Sequence, residues 1–146
     1  MIIVICFERV MLMQKRQNFS RKRKAILDAI SGTTIHPTAE WVYQALKPEY
    51  PDLSLGTVYR NITRFKEDGL IISVGIINGQ ERFDATVEPH DHFVCEECGA
   101  VLDLKDSVLP DSADQQVERR YGVQVASHSL VFRGICPKCM KSRTKN

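Results

Sequence analysis

No segment of the 146 residues repeats at a fixed period, and none is of low complexity. Eight glycines without a triplet period exclude a collagen-like chain. With 43% apolar and 26% charged residues, global disorder is excluded as well. There is no Gly-rich phosphate loop and no nucleophile elbow, so the common nucleotide-hydrolysing and esterase chemistries have no foothold. Five cysteines are too few for a secreted disulfide scaffold of this length, which would also bring a signal peptide. The most apolar stretch, residues 1–13 (MIIVICFERVMLM), is too short to span a bilayer and is interrupted by Glu8 and Arg9. It also lacks the basic start and small-residue cleavage site of a signal peptide. It is either an extra strand or helix packed on the body or an artefact of start-site choice, with translation beginning at Met11 or Met13. Cys6 falls inside it and receives no role.

What is present is organised in two parts. The net charge of +2 says little in total, but residues 1–77 carry 11 Lys/Arg against 7 Asp/Glu, a net of +4. Residues 78–146 carry 9 against 11, a net of −2. A basic front half and an acidic back half imply two different jobs. The length suits two small domains, read here as 14–86 and 87–146 behind the 1–13 extension.

The front half reads as three helices and a hairpin. The basic run Lys15, Arg16, Arg21, Lys22, Arg23 and Lys24 leads into a helix capped by Ser20, with Ile26, Leu27 and Ile30 as its apolar stripe. Ser31-Gly32 ends it. A second helix begins at His36-Pro37-Thr38, with Thr38 as cap and Val42, Ala45 and Leu46 inward. Ser54 caps a third, whose buried face is Val58, Ile62 and Phe65 at i, i+4 and i+7, stopped by Gly69. Leu70–Val74 and Arg82–Asp84 then flank Asn78-Gly79 as a β-hairpin. This is the plan of a winged helix-turn-helix. On the third helix the outer face would carry Gly56, Thr57, Tyr59, Arg60, Asn61 and Arg64. Arg and Asn can read base edges, Tyr and Thr can contact phosphates or thymine methyls, and the basic run adds phosphate contacts, Arg21 among them. A solvated polar helix face would look the same in sequence.

The back half reads as strands His92–Val94, Val101–Leu104, Val123–Ser127 and Leu130–Gly134, with a helix over Ser112–Tyr121 stopped by Gly122. Two CxxC pairs, Cys95/Cys98 and Cys136/Cys139, have 37 residues between them. Two such knuckles complete a tetrahedron of thiolates around one structural Zn²⁺ with no open position. Paired disulfides and a redox motif are the alternatives, but a redox CxxC needs no duplicate. In Glu88-Pro89-His90-Asp91-His92, the period of two places His90 and His92 on one side of an extended segment. Asp84 precedes them and Asp103 follows on the next strand. Nitrogen and oxygen donors without thiolate suit Fe²⁺, Mn²⁺ or Zn²⁺.

Taken in order, His36-Pro-Thr-Ala-Glu40, Thr57-Val-Tyr-Arg60, Arg82-Phe-Asp84, His90-Asp-His92 and Cys95-x-x-Cys98 resemble the ferric uptake regulator family, from about Ser20 to Cys139. The resemblance implies an α+β protein: an N-terminal winged helix-turn-helix and a small C-terminal α/β dimerisation domain with a structural zinc. It implies a cytoplasmic homodimeric repressor, not an enzyme and not a membrane protein, bound to double-stranded DNA at a palindromic operator. Within the family the chain is most similar to the peroxide-sensing branch, whose regulatory Fe²⁺ or Mn²⁺ ligands match His36, Asp84, His90, His92 and Asp103. Oxidation of His36 or His90 would then release the metal and the DNA. Asp84 and Asp103 stand where the iron-sensing branch more often has Glu, although Arg60 after Tyr59 is closer to that branch. Pro89 stands where the iron sensors often have a further His, leaving Asp91 and His128 as groups that support other ligands or the structure. An iron-, zinc- or manganese-responsive repressor without peroxide sensing is the alternative. A zinc-stapled redox or metal-binding module with no DNA role is a more remote one.

Overall fold

The structure is a computed structural model that describes residues 21–144. The 1–13 extension, Cys6, Lys15, Arg16 and the Ser20 cap lie outside the described residues. The chain divides into two compact units. One runs through Ile76 and takes up again at Gln80–Val87; the other comprises Ile77–Gly79 and the chain from Glu88 onward.

In the first unit, α1 covers 21–31, α2 covers Ala39–Leu46 and α3 covers Leu55–Glu67. Strands β1 (Ile72–Ile77) and β2 (Gln80–Asp84) follow as a two-stranded sheet. The side chain of Thr38 accepts from the Trp41 N–H and starts α2; that of Ser54 accepts from the Thr57 N–H and starts α3. Gly69, at φ 69°, closes α3, and the Leu70 N–H returns to the Phe65 carbonyl at 2.9 Å. The core consists of Ile26, Ile30, Ala39, Val42, Leu53, Val58, Ile62, Phe65, Ile71 and Phe83, every one nearly inaccessible. Ala45, expected inward, is exposed; Ala39 fills the core side of α2 instead. The hairpin turn has Asn78 at φ 53° and Gly79 at φ 80°. Two consecutive positive φ values are what a two-residue turn between twisted strands demands. That turn lengthens β1 to Ile77, beyond the Val74 end expected from the apolar run.

In the second unit, β3 (Asp91–Cys95) is the centre of a three-stranded sheet of order β4-β3-β5, with β4 at Val101–Leu104 and β5 at Val131–Gly134. β3 pairs antiparallel with β4 and parallel with β5. The parallel pair needs a long crossover, and α4 (Ala113–Tyr121) lies within it. Gly122, at φ 66°, is the left-handed stop of α4. The expected strand at Val123–Ser127 is absent: only Val125 of that stretch is even half-buried, so its alternation has no core to face. A helix the sequence reading lacked, α5 (Pro137–Arg143), begins directly at Cys136 with Pro137 in its first position. Among the described residues no helix is long and apolar enough to cross a membrane.

Candidate metal centres and nucleic-acid face

Cys95 closes β3, Cys98 follows one turn later, and Cys136 and Cys139 flank the first turn of α5. The turn between Cys95 and Cys98 is fixed by Gly99, at φ 69°, whose N–H reaches the Cys95 carbonyl at 2.9 Å. The Sγ atoms of Cys95 and Cys139 are 3.9 Å apart, and those of Cys98 and Cys136 are 3.8 Å apart. A tetrahedron with Zn–S bonds of about 2.3 Å has edges of about 3.8 Å, so this quartet fits zinc. It does not fit disulfides, whose sulfurs bond at about 2.05 Å. The backbone N–H groups of Cys98, Cys136 and Glu97 point at Cys95 and lower its thiol from 9.0 to about 6. Burial, and then the neighbouring thiols, push Cys139 up to about 12. A site that holds some thiolates readily and resists the last charge is completed by a dication. Cys95, Cys136 and Cys139 are also buried in the core of the unit, with Phe93, Ala100 and Ile135 packed against them, while Cys98 is exposed.

The nitrogen and oxygen donors are assembled within each unit separately. In the first, His36 precedes the cap of α2 and Asp84 ends β2. The Phe83 N–H donates to the Pro37 carbonyl at 3.0 Å and brings the two segments together. His36 Nε2 then lies 3.3 Å from Asp84 Oδ2, both side chains buried. The second carboxylate oxygen accepts the Thr86 N–H at 2.7 Å. His36 sits at φ 54°, a left-handed backbone that few non-glycine residues adopt and that is often retained where function requires it. In the second unit the β3–β4 register sets His92 directly opposite Asp103. His92 Nε2 and His90 Nε2 lie 3.5 and 3.4 Å from Asp103 Oδ1, with ring centroids 4.4 Å apart. The His90 Nδ1–H donates to the Glu88 carbonyl at 2.8 Å, which leaves Nε2 as the basic nitrogen. All five sequence-derived ligand positions therefore fall into a pair and a triad of hard donors that fit Fe²⁺ or Mn²⁺.

Asp91 and His128 do not add a further cluster. Asp91 is buried, and its Oδ2 has no hydrogen-bond partner among the described residues. His128 Nδ1 instead meets Asp114 Oδ1 at 2.7 Å.

On α3 the outer face is close to expectation, with one correction. Asn61 is 4% exposed, and its Nδ2 donates to the Thr57 carbonyl at 2.8 Å. At about 100° per residue it lies only about 60° from Val58 and 40° from Phe65, on the core side of the helix. It braces α3 and is not placed to reach a base edge. Thr63, passed over in the sequence, is exposed on the face shared by Gly56 and Arg60. The Arg60 guanidinium donates to Thr57 Oγ1 at 3.0 Å, and Thr57 Oγ1 also meets Ser54 Oγ at 2.9 Å. Arg64 pairs with Glu67 and Asp68 at 3.7 and 3.3 Å, and Arg21 is exposed on α1. The Tyr59 hydroxyl donates to Glu40 at 2.5 Å.

The model of the family described as "Ferric uptake regulator family" matches residues 15–133. The chain belongs to the ferric uptake regulator family. It is 35% identical over 120 residues to the peroxide operon regulator of Bacillus subtilis, covering 82% of each chain. A Campylobacter jejuni peroxide stress regulator has a similar fold, with a TM-score of 0.72 and 31% identity, over 88% of this chain and 96% of that one. The ferric uptake regulator of Pseudomonas aeruginosa, solved with manganese, has a TM-score of 0.64 and 32% identity, over 79% and 87%. The winged-helix and zinc-containing α+β organisation expected from the residues is thus the fold of this family.

Proposed function

We propose that this protein is a metal-dependent DNA-binding repressor that senses peroxide through oxidation of a ligand histidine. The observation that carries the reading is the donor set: two carboxylates and three imidazoles, each preset by the backbone of its own unit. One Fe²⁺ or Mn²⁺ ion per chain would take His36 and Asp84 from the DNA-binding domain, 14–86. It would take His90, His92 and Asp103 from the dimerisation domain, 87–146. A separate Zn²⁺ on Cys95, Cys98, Cys136 and Cys139 keeps the second domain folded whatever the regulatory metal does. Free thiolates of this kind belong in a reducing compartment, the cytoplasm.

The DNA-facing residues are Thr57, Tyr59, Arg60 and Arg64 on α3, with Arg21 on α1. Leu102, Val117, Tyr121 and Phe132 are exposed on the second unit, and α4 buries no residue of its own. Pairing of two copies through such a surface would give the homodimer, and its two-fold axis a palindromic operator. Metal and DNA then strengthen each other by the same factor, typically about 1–3 kcal/mol.

Bound Fe²⁺ would supply the electron that opens the O–O bond of hydrogen peroxide, chemistry that Mn²⁺ would not supply. Overall, one peroxide oxygen would replace the hydrogen on a ring carbon of His36 or His90 and the other would leave as water, a two-electron oxidation of the imidazole by the peroxide that destroys the ligand. Each molecule reacts once, so the protein is a sensor and not an enzyme. The names of the B. subtilis and C. jejuni relatives favour this reading over a purely iron-responsive repressor. The test is to treat Fe²⁺-loaded protein with hydrogen peroxide and map added oxygen by peptide mass spectrometry. Modification of His36 or His90 with loss of DNA binding is expected. Unmodified histidines with DNA binding retained would replace peroxide sensing by the metal-responsive alternative.

A further inference from the structure

The contact between α2 and α3 that neither the metal ligands nor the base-reading face accounts for is the one between Glu40 and Tyr59. We infer that Glu40 is a positioning residue, fixing the Tyr59 side chain on the recognition helix and tying it to the backbone segment that carries His36. This rests on the repressor reading above and adds a residue to it.

The geometry is local to the first unit. Glu40 lies in the first turn of α2, four residues after His36. Segment 36–40 is held at two points: the Pro37 carbonyl accepts the Phe83 N–H at 3.0 Å, and Thr38 Oγ1 accepts the Trp41 N–H at 3.1 Å. The Glu40 carboxylate then accepts the Tyr59 hydroxyl across 19 positions of sequence. Tyr59 is 44% exposed, so its ring is on the surface while its tip is pinned. Hydrogen bonds to an ionised acceptor are shorter and about twice as strong as neutral ones, and this one holds a side chain that is otherwise free to rotate. The ionisations agree with the geometry. Tyr59's hydroxyl, then Glu40's own N–H and Thr38's hydroxyl, hold the Glu40 carboxyl below its usual range. The bond to Glu40, partial burial and the charges of Glu40 and Glu81 raise the Tyr59 phenol.

Two consequences follow. The Tyr59 hydroxyl is committed to the protein, so it is the ring that Tyr59 offers to a groove. Glu40 is joined to His36 through the short segment that the Pro37 and Thr38 bonds hold in place. The rival explanation is that Glu40 is an acidic group whose charge only repels DNA.

The test uses full-length protein and a duplex enriched from a random-sequence pool by the Mn²⁺-loaded wild type. Glu40→Ala, Glu40→Gln and Tyr59→Phe are made singly, and Glu40→Ala is combined with Tyr59→Phe. Positioning predicts about a tenfold loss of affinity in Glu40→Ala, the low end for a charge-assisted bond at a half-exposed site. It predicts partial rescue in Glu40→Gln, whose amide oxygen still accepts. It also predicts no further loss when Glu40→Ala is added to Tyr59→Phe. Repulsion predicts tighter binding in both Glu40 variants, and that result overturns the inference, as would strict additivity of the double variant. The Tyr59 ¹³Cζ resonance, assigned by its loss in Tyr59→Phe, gives a readout without DNA. It should titrate at lower pH in Glu40→Ala than in wild type; an unchanged midpoint refutes the contact. If no duplex is enriched, the repressor reading fails while the resonance still decides the Glu40–Tyr59 pair.

Discussion

Replacing Cys139 by serine should unfold the second unit and not merely loosen it. The buried residues there are few. Ile77, Val94 and Val101 are apolar, Asp91 and His92 are polar, Cys95, Cys136 and Cys139 are sulfur donors themselves, and α4 contributes none. Binding a structural zinc is worth about 10–16 kcal/mol in small thiolate sites. That is comparable with the whole stability of an ordinary domain, about 5–15 kcal/mol. A serine hydroxyl is a poor replacement, since four soft ligands at tetrahedral spacing are what the metal selects. The assay is zinc content by elemental mass spectrometry together with amide exchange on the full chain. One zinc per wild-type chain is expected, little or none in Cys139→Ser, and loss of protection across β3, β4 and β5. Amides of α1 and α3 should stay protected, because Ile26, Ile62 and Phe65 belong to a separate core. A zinc-free variant with β3–β5 still protected would refute the reasoning. Acid should act in the same direction on the zinc-loaded wild type, because protons compete with the metal for the four thiolates and zinc release removes the staple.

Three further outcomes are expected. Asn61→Ala should lower stability by about 1–2 kcal/mol in urea titration, through the lost bond to the Thr57 carbonyl, while operator affinity of the folded protein is unchanged. A loss of sequence preference would return Asn61 to the DNA face. Asp84→Asn, which removes a charged ligand, should weaken Mn²⁺ binding by at least the roughly 10–100-fold typical of losing a group that only supports a ligand, with zinc content unaltered, measured by competition with a chromogenic chelator. Asp103→Glu should keep Mn²⁺-dependent DNA binding and blunt the response to peroxide, because a longer carboxylate changes reach to His90 and His92; equal sensitivity would count against the peroxide-sensing assignment.

Much of this was legible in the residues because the determinants are local. The period of Val58, Ile62 and Phe65, the caps Thr38 and Ser54 and the Asn78-Gly79 turn each settle their element within a few positions. So do the two CxxC spacings, which need only a metal to complete them. What was illegible depended on partners far away in sequence. Asn61 looked like a base reader because its type suits adenine, yet its angle on α3 is fixed by a core that only the fold assembles. Val123–Ser127 alternates like a strand but has nothing to pack on. α5 is short and charged, and its start is set by Cys136, where the sulfur chemistry concealed the Pro-at-N1 helix signal. The Glu40–Tyr59 pair has no sequence period at all.

If the proposed peroxide sensing operates, the donor arrangement also bears on why destruction of a ligand would be tolerable. The His36–Asp84 pair is formed by one backbone bond from Phe83 to Pro37, and the His92–Asp103 pair by the β3–β4 register. Each pair is set by the backbone of its own unit, so loss of a bound ion would unfold neither. The residues nearest the chemistry are therefore not those that hold either core: Phe65 and Phe83 do that in one unit, Cys95, Cys136 and Cys139 in the other. A histidine can be lost without the chain being lost. The coupling of metal to DNA in the proposed function, at about 1–3 kcal/mol, would be large enough to switch occupancy of an operator and small beside the stability of a domain. Separation of the soft-ligand site from the hard-ligand site is what makes that division possible, since one metal can be given up while the other stays bound.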